Sequence, residues 1–183
     1  DNMNNDEVTK LLDGYENLKY YYGNSKTKIE ACNKDIYDLD FDILLLASDD
    51  MVPQTKGYDT IIRNNMIKNY PDKDGVLWFY DGYNKQINTL SIMGVEYYKR
   101  FNYIYHPSYE SFYCDAEFMI IANELKKQTF INYTIIKHLH PDNTQELHKE
   151  NDNTYIKNIE NSKDTTTFVE RMKEKGINIE YKK

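Results

Sequence analysis

"DFDILLLASDDMVP", residues 40–53, sets an unbroken apolar run against two adjacent carboxylates. The run from Ile43 to Ala47 is short and bounded by polar residues, the pattern of a strand buried on both faces. Asp49 and Asp50 then stand just past its carboxyl end, which is where ligands sit in open α/β sheets. Neighbouring carboxylates raise each other's pKa unless a cation or a hydrogen-bond donor compensates. A hard divalent ion such as Mg2+ or Mn2+ is one compensator, because it takes oxygen ligands and bridges to phosphates. An exposed turn, with one Asp capping the next helix, is the other reading, and spacing alone leaves both open.

Working outward, apolar periods alternate between the helical and the extended. Residues 4–15 read as a short helix with Val8, Leu11 and Leu12 on one face and Gly14 as its stop. A short strand is expected over 18–22, then a helix carrying Ile29, Cys32 and Ile36, with Ser25 as its cap. With the strand at 42–47 these form a βαβ unit, so a parallel, right-handed connection is expected. "GYDTIIRNNMIKNYPD" reads as a helix ended by Pro71, and "GVLWFYDG" as a strand closed by Asp81-Gly82. A short strand and helix in "TLSIMGVEYYKRF", an extended "YIYHPSYE", and a helix in "YCDAEFMIIANELKK" follow. "INYTIIKHLHP" reads as one strand, and "TTFVERMKEKG" as a last amphipathic helix bearing Phe168, Val169 and Met172. The alternation predicts an α/β/α sandwich with a mostly parallel central sheet.

The chain has 183 residues, enough for one sizeable core. Its net charge of −7 argues against nonspecific nucleic-acid binding, although a metal ion can still bring a phosphorylated ligand to a negative domain. Cys32 and Cys114 form no metal-type spacing and read as free thiols of a reducing compartment. No apolar run reaches the length of a membrane span, and the polar, acidic start is unlike a signal peptide, so a cytoplasmic location is expected. The 18 tyrosines reflect in part an AT-rich coding style, and exposed tyrosine also suits sugar stacking. Past Asp142 the composition turns to Asn, Asp, Lys, Glu and Thr, which divides the chain into a domain at 1–142 and a polar extension at 143–183.

Two further groups carry chemistry. His138 and His140 alternate along a strand end, so they are expected to face opposite ways, one toward a metal and the other into packing. Asp115 and Glu117 fall in the first turn of a helix, where the dipole favours negative charge, and a carboxylate there can also serve as a general base. Tyr109, Phe112 and Tyr113 beside them offer faces for a sugar or for the core. His106 and His148 read as structural or surface residues.

Taken in order, "GNSKTKIEACN", "DFDILLLASDDMVP", "GYDTIIRNNM", "LWFYDG", "YCDAEF" and "KHLHP" resemble a nucleotide-sugar-dependent glycosyltransferase of the GT-A fold. The likeness is to family-2-like enzymes of viral, phage and bacterial type, and it spans roughly residues 1–142. The resemblance implies a Rossmann-like fold and transfer of a sugar from a UDP- or GDP-sugar donor to a glycan or other hydroxyl acceptor, assisted by Mn2+ or Mg2+. It makes Ser48-Asp49-Asp50 a DXD-like motif, with Asp50 on the metal and Asp49 nearer the ribose or donor sugar. Lys28 and Asn33 match residues close to the nucleotide. Asp115 or Glu117 matches the base of an inverting transfer, with Asp115 preferred. His138, with His140 a near-equal alternative, matches the late histidine that completes the metal shell. "DNMNNDE" resembles the region just after the family's second strand, with Asp1 the remnant of a uracil- or ribose-binding acid, so the first strands of such a domain are expected upstream. An unpaired sheet edge would then invite self-association into a homo-oligomer. Two other functions fit some of the same residues: a carbohydrate-binding or assembly module that lost turnover, and a hydrolase using the carboxylate pairs.

Overall fold

A computed structural model describes residues 5–140 and 163–178, except 20, 22, 35 and 37. Its elements in chain order are α1 (Asn5–Leu12), α2 (Lys28–Asn33), β1 (Ile43–Leu45), β2 (Met51–Pro53), α3 (Tyr58–Asn69), β3 (Val76–Phe79), β4 (Ile92–Gly94), α4 (Val95–Lys99), α5 (Cys114–Glu124), β5 (Gln128–Ile131), β6 (Ile136–His138) and α6 (Asp164–Glu174).

β3 is the centre of a four-stranded sheet of order β1-β4-β3-β5. Alternation along the strands divides the core in two. Leu77 and Phe79 of β3 and Ile92 of β4 face α3, where Ile62 and Met66 meet them. Val76 and Met93 face the other way, onto Tyr97 and Tyr98 of α4, Phe118 and Ala122 of α5, and Phe168 and Met172 of α6. Each such fully buried apolar side chain contributes roughly 1.5–3 kcal/mol, which makes these two faces the main support of the fold. The fold is therefore mixed α/β, with helices against both faces of the larger sheet and a separate two-stranded sheet of β2 and β6.

The mostly parallel sheet expected from sequence is not what forms. β1 pairs with β4, and β4 with β3, in antiparallel fashion, and only β3 and β5 pair in parallel. β1, β3 and β5 do run in one direction, but β4 is inserted between β1 and β3 and reverses both pairings. The cause lies in residues 80–91, which hold no helix to carry the chain across the sheet. Instead the buried Asp81 ties a turn, its Oδ1 accepting from the N–H groups of Tyr83 (2.8 Å) and Asn84 (2.7 Å) and its Oδ2 from the Thr89 hydroxyl (2.8 Å). The chain thus returns beside the strand it left. Gly94, which ends β4, has the Lys73 carbonyl so close that a Cβ would stand 2.1 Å from its oxygen.

Other local expectations shift as well. Leu18, Lys19 and Tyr21 form no strand, so the βαβ unit over 18–47 is absent among the described residues, and β1 lies at the sheet's edge. α2 is capped by Thr27, whose hydroxyl accepts from Glu30 N–H at 3.0 Å, and not by Ser25. The single strand read over 131–141 is two strands, β5 beginning earlier and β6 following a break at 132–135. Leu11, expected on the apolar face of α1, is 70% exposed. Phe168 and Met172 of α6 belong to the core; of residues 143–164, whose composition reads as a solvated loop or a loosely packed helix, 143–162 lie outside the described residues together with His148. Among the described residues no helix is long and apolar enough to cross a membrane.

Candidate functional site

The apolar run of β1 ends in a tight turn, closed by the Met51 N–H on the Ser48 carbonyl at 3.1 Å. Asp49 is exposed in this turn, while Asp50 is half-buried and accepts at Oδ1 from the Ser48 hydroxyl. β2 starts at Met51 and pairs antiparallel with β6, setting Met51 opposite His138. That register places His138 Nε2 3.1 Å from Asp50 Oδ2. Backbone bonds hold the meeting in place: Leu139 N–H donates to the Asp50 carbonyl (2.9 Å), and His138 N–H to that of Asp81 (3.1 Å). Burial works to raise the Asp50 pKa, but the Ser48 hydroxyl and the His138 imidazole outweigh it and hold the carboxyl below its ordinary value.

His138 and His140 do not face opposite ways. β6 ends at His138, so the strand alternation that separates neighbours no longer governs His140. Their rings meet edge to face with centroids 5.4 Å apart, and both line one cavity of about 200 Å³. The cavity is bounded by Ser48 from the β1 turn, Lys28 and Cys32 of α2, Thr89, and the stretch from Ser111 to Asp115. Lys28 supplies positive charge to this wall and lowers the pKa of Cys32, Cys114 and Asp115, although burial dominates and pushes all three up. Asp115 lines the cavity half-buried and is desolvated there, with its Oδ1 accepting from Ala116 N–H at 2.9 Å. A carboxyl whose pKa is raised in a cavity holds a proton more readily, as a general base requires.

Lys28, Asp115, His138 and His140 thus share one cavity, and Asp50 reaches it through His138. The other candidates stand elsewhere. Asn33 is built into the scaffold: its Nδ2 donates to the Tyr105 carbonyl (2.7 Å) and its Oδ1 accepts from Ile104 N–H (2.9 Å). Glu117 is buried and held by Arg171 and the Tyr109 hydroxyl, outside the cavity lining. Of the three aromatics offered for a sugar, Tyr109 is buried in the core, while Phe112 and Tyr113 do line the cavity. Asp1 lies outside the described residues.

Sequence reasoning passed over Thr89, Tyr105 and the two cysteines as cavity residues. A signal existed for Thr89, eight positions after the turn-forming Asp81 whose free oxygen it reaches. None existed for Cys32 and Cys114, which only the packing of α2 beside the start of α5 brings to one wall. Among the described residues no group of three or more His, Cys, Asp or Glu side chains is placed to hold a metal ion. Comparison of the chain with protein-family models, curated proteins and solved structures gives no match in any of the three, so the chemistry has to be taken from the residues themselves.

Proposed function

We propose that this chain is a metal-dependent glycosyltransferase of GT-A type, moving a sugar from a UDP- or GDP-sugar to an acceptor hydroxyl. One observation supports the reading above the others: residues from segments far apart in sequence, Lys28, Asp115 and His138 with Asp50 behind it, converge on a single cavity. The roles are those that the resemblance implies. Lys28 faces the anionic diphosphate. Asp115 takes the proton from the acceptor hydroxyl as its oxygen bonds to the anomeric carbon, and the nucleoside diphosphate leaves with the bonding electron pair.

The donor set is compatible with a divalent ion only in company with substrate. Asp50 offers a carboxylate with the His138 imidazole beside it, and Mg2+ characteristically takes one or two carboxylates and completes its shell with water and substrate phosphates. Such an ion, when bound, offsets the charge of the leaving diphosphate. A second reading, a carbohydrate-binding module without turnover, is favoured by the aromatic side chains of Phe112 and Tyr113 in the cavity lining.

Thermal unfolding separates the two. Mn2+ with a UDP- or GDP-sugar is expected to raise the unfolding midpoint where neither does so alone. At ligand concentrations 100 times the dissociation constant the gain is about 2.7 kcal/mol. Asp50→Asn is expected to abolish the metal-dependent part. Stabilisation by a glycan alone, with no response to any donor, would establish the binding module and sink the transferase.

A further inference from the structure

The terminal helix meets the wall of the cavity through one face, at Asp164, Phe168 and Arg171, spaced four and then three residues apart. Asp164 is fully buried, and its carboxylate accepts three consecutive backbone N–H groups, those of Glu110 (2.8 Å), Ser111 (2.7 Å) and Phe112 (2.7 Å). The Phe168 ring stacks on Tyr113 with centroids 5.3 Å apart. Arg171 grips Glu117 with two bonds, from Nε at 2.8 Å and from a terminal nitrogen at 2.7 Å, and the Tyr109 hydroxyl adds a third at 2.6 Å.

The stretch so held, 109–117, contains the cavity wall from Ser111 to Asp115. Its own local bonds, such as Cys114 Sγ to the Ser111 carbonyl at 3.7 Å, leave the N–H groups of 110–112 to an outside acceptor. Tyr113 sits in the left-handed region at φ 60°, a conformation that costs a non-glycine residue on the order of 1 kcal/mol or more unless its surroundings impose it. The three N–H groups ahead of it take their hydrogen bonds from a side chain more than fifty positions away, where a self-sufficient loop would use its own backbone. α6 supplies three of the described supports of this wall, the Asp164 carboxylate, the Phe168 ring and the Arg171 guanidinium.

We propose that Asp164, Phe168 and Arg171 are positioning residues: α6 is a clasp that fixes the Ser111–Asp115 wall, and with it the Asp115 carboxyl, so that docking of the helix and occupancy of the cavity are thermodynamically linked. The clasp stands on geometry, while its consequence for sugar transfer rests on the function proposed above.

Cys114, buried in the wall, reports on the clasp without any ligand. In a Cys32→Ser background it is the chain's remaining cysteine, and its rate of reaction with a thiol-reactive aromatic disulfide reads the opening of the wall. At a temperature well below unfolding, Asp164→Ala is expected to raise that rate at least tenfold, and Asp164→Asn, which keeps an acceptor, by less. A helix that merely added stability would lower the unfolding midpoint and leave Cys114 protected. Protection unchanged in a folded Asp164→Ala protein therefore overturns the clasp. Native-state hydrogen exchange on the unsubstituted chain makes the same test without a variant. The amides of 110–112 should open together with those of α6, and slow exchange at 110–112 while α6 exchanges fast overturns the proposal. Adding Mn2+ with whichever of UDP or GDP binds should then slow both sets. If neither UDP nor GDP binds with Mn2+ by calorimetry, the transferase reading fails, and the Cys114 and exchange results still decide the clasp.

Discussion

His138 Nε2 lies 3.1 Å from Asp50 Oδ2 although 88 positions separate them in the chain, and the two-stranded ladder of β2 and β6 is what joins them. A carboxylate so placed carries a pH signature. Its pKa is lower folded than unfolded, so the stability it confers is complete above the ordinary carboxylate value and is lost as pH falls through the lower folded value. Asp50→Asn should cost on the order of 1.5–3 kcal/mol at pH 7, the range for a hydrogen bond to a charged group. Urea unfolding at pH 7 and again below pH 4 checks this, with the gap between parent and variant narrowing in acid.

Asp115 should behave in the opposite sense. Burial raises its folded pKa, so the ionised form is disfavoured in the cavity and destabilises the protein above that value. Asp115→Asn is then expected to raise the unfolding midpoint at pH 8. The advantage should shrink as pH falls through the folded pKa and stop changing below the ordinary value of about 4. The same substitution should remove transfer activity, giving a variant that is more stable and inactive. A midpoint lowered at pH 8 would contradict the assignment.

The Arg171–Glu117 pair is buried, and the Glu117 carboxyl, which burial alone would raise, is held below its ordinary value by Arg171 and Tyr109. Removing one partner strands a buried charge. Arg171→Met should cost about 3–5 kcal/mol, while the double variant Arg171→Met with Glu117→Gln should recover most of the loss. A double-mutant cycle in urea measures both. Because the folded pKa is depressed, this contribution also vanishes as pH falls through it.

Gly94→Ala tests the inserted strand. Gly94 has an ordinary backbone conformation, φ −78°, so strain in the dihedral angle is not at issue. The added methyl would meet the carbonyl of Lys73 at 2.1 Å, and that group is backbone that a side-chain rotation cannot clear. A loss of roughly 1–3 kcal/mol is expected from such overpacking, readable in thermal unfolding.

Much of the fold can be read from local pattern. The apolar spacing of Ile62 and Met66, of Phe118 with its neighbours, and of Phe168 with Met172 marks α3, α5 and α6, and the β-forming run at 76–79 marks β3. Short elements such as β2, three residues ending in Pro53, escape because three residues carry no period. The site divides the same way. Among the candidates, Asp50, Asp115 and the histidines stand out by residue type and place along the chain, and Lys28 only through the family resemblance. Asn33 and Glu117 look no different in sequence, yet partners at Tyr105 and Arg171 assign them to the scaffold.

The order of the main helices, the presence of apolar strands and the placing of acids at strand and helix ends follow from amino-acid pattern, because periodicity and capping act over a few residues. Strand direction, the meeting of Asp50 with His138, and the clasp of Asp164 and Arg171 on the cavity wall do not. Each depends on which segments lie side by side, and that is settled only when burial of the two core faces selects one packing out of many locally acceptable ones.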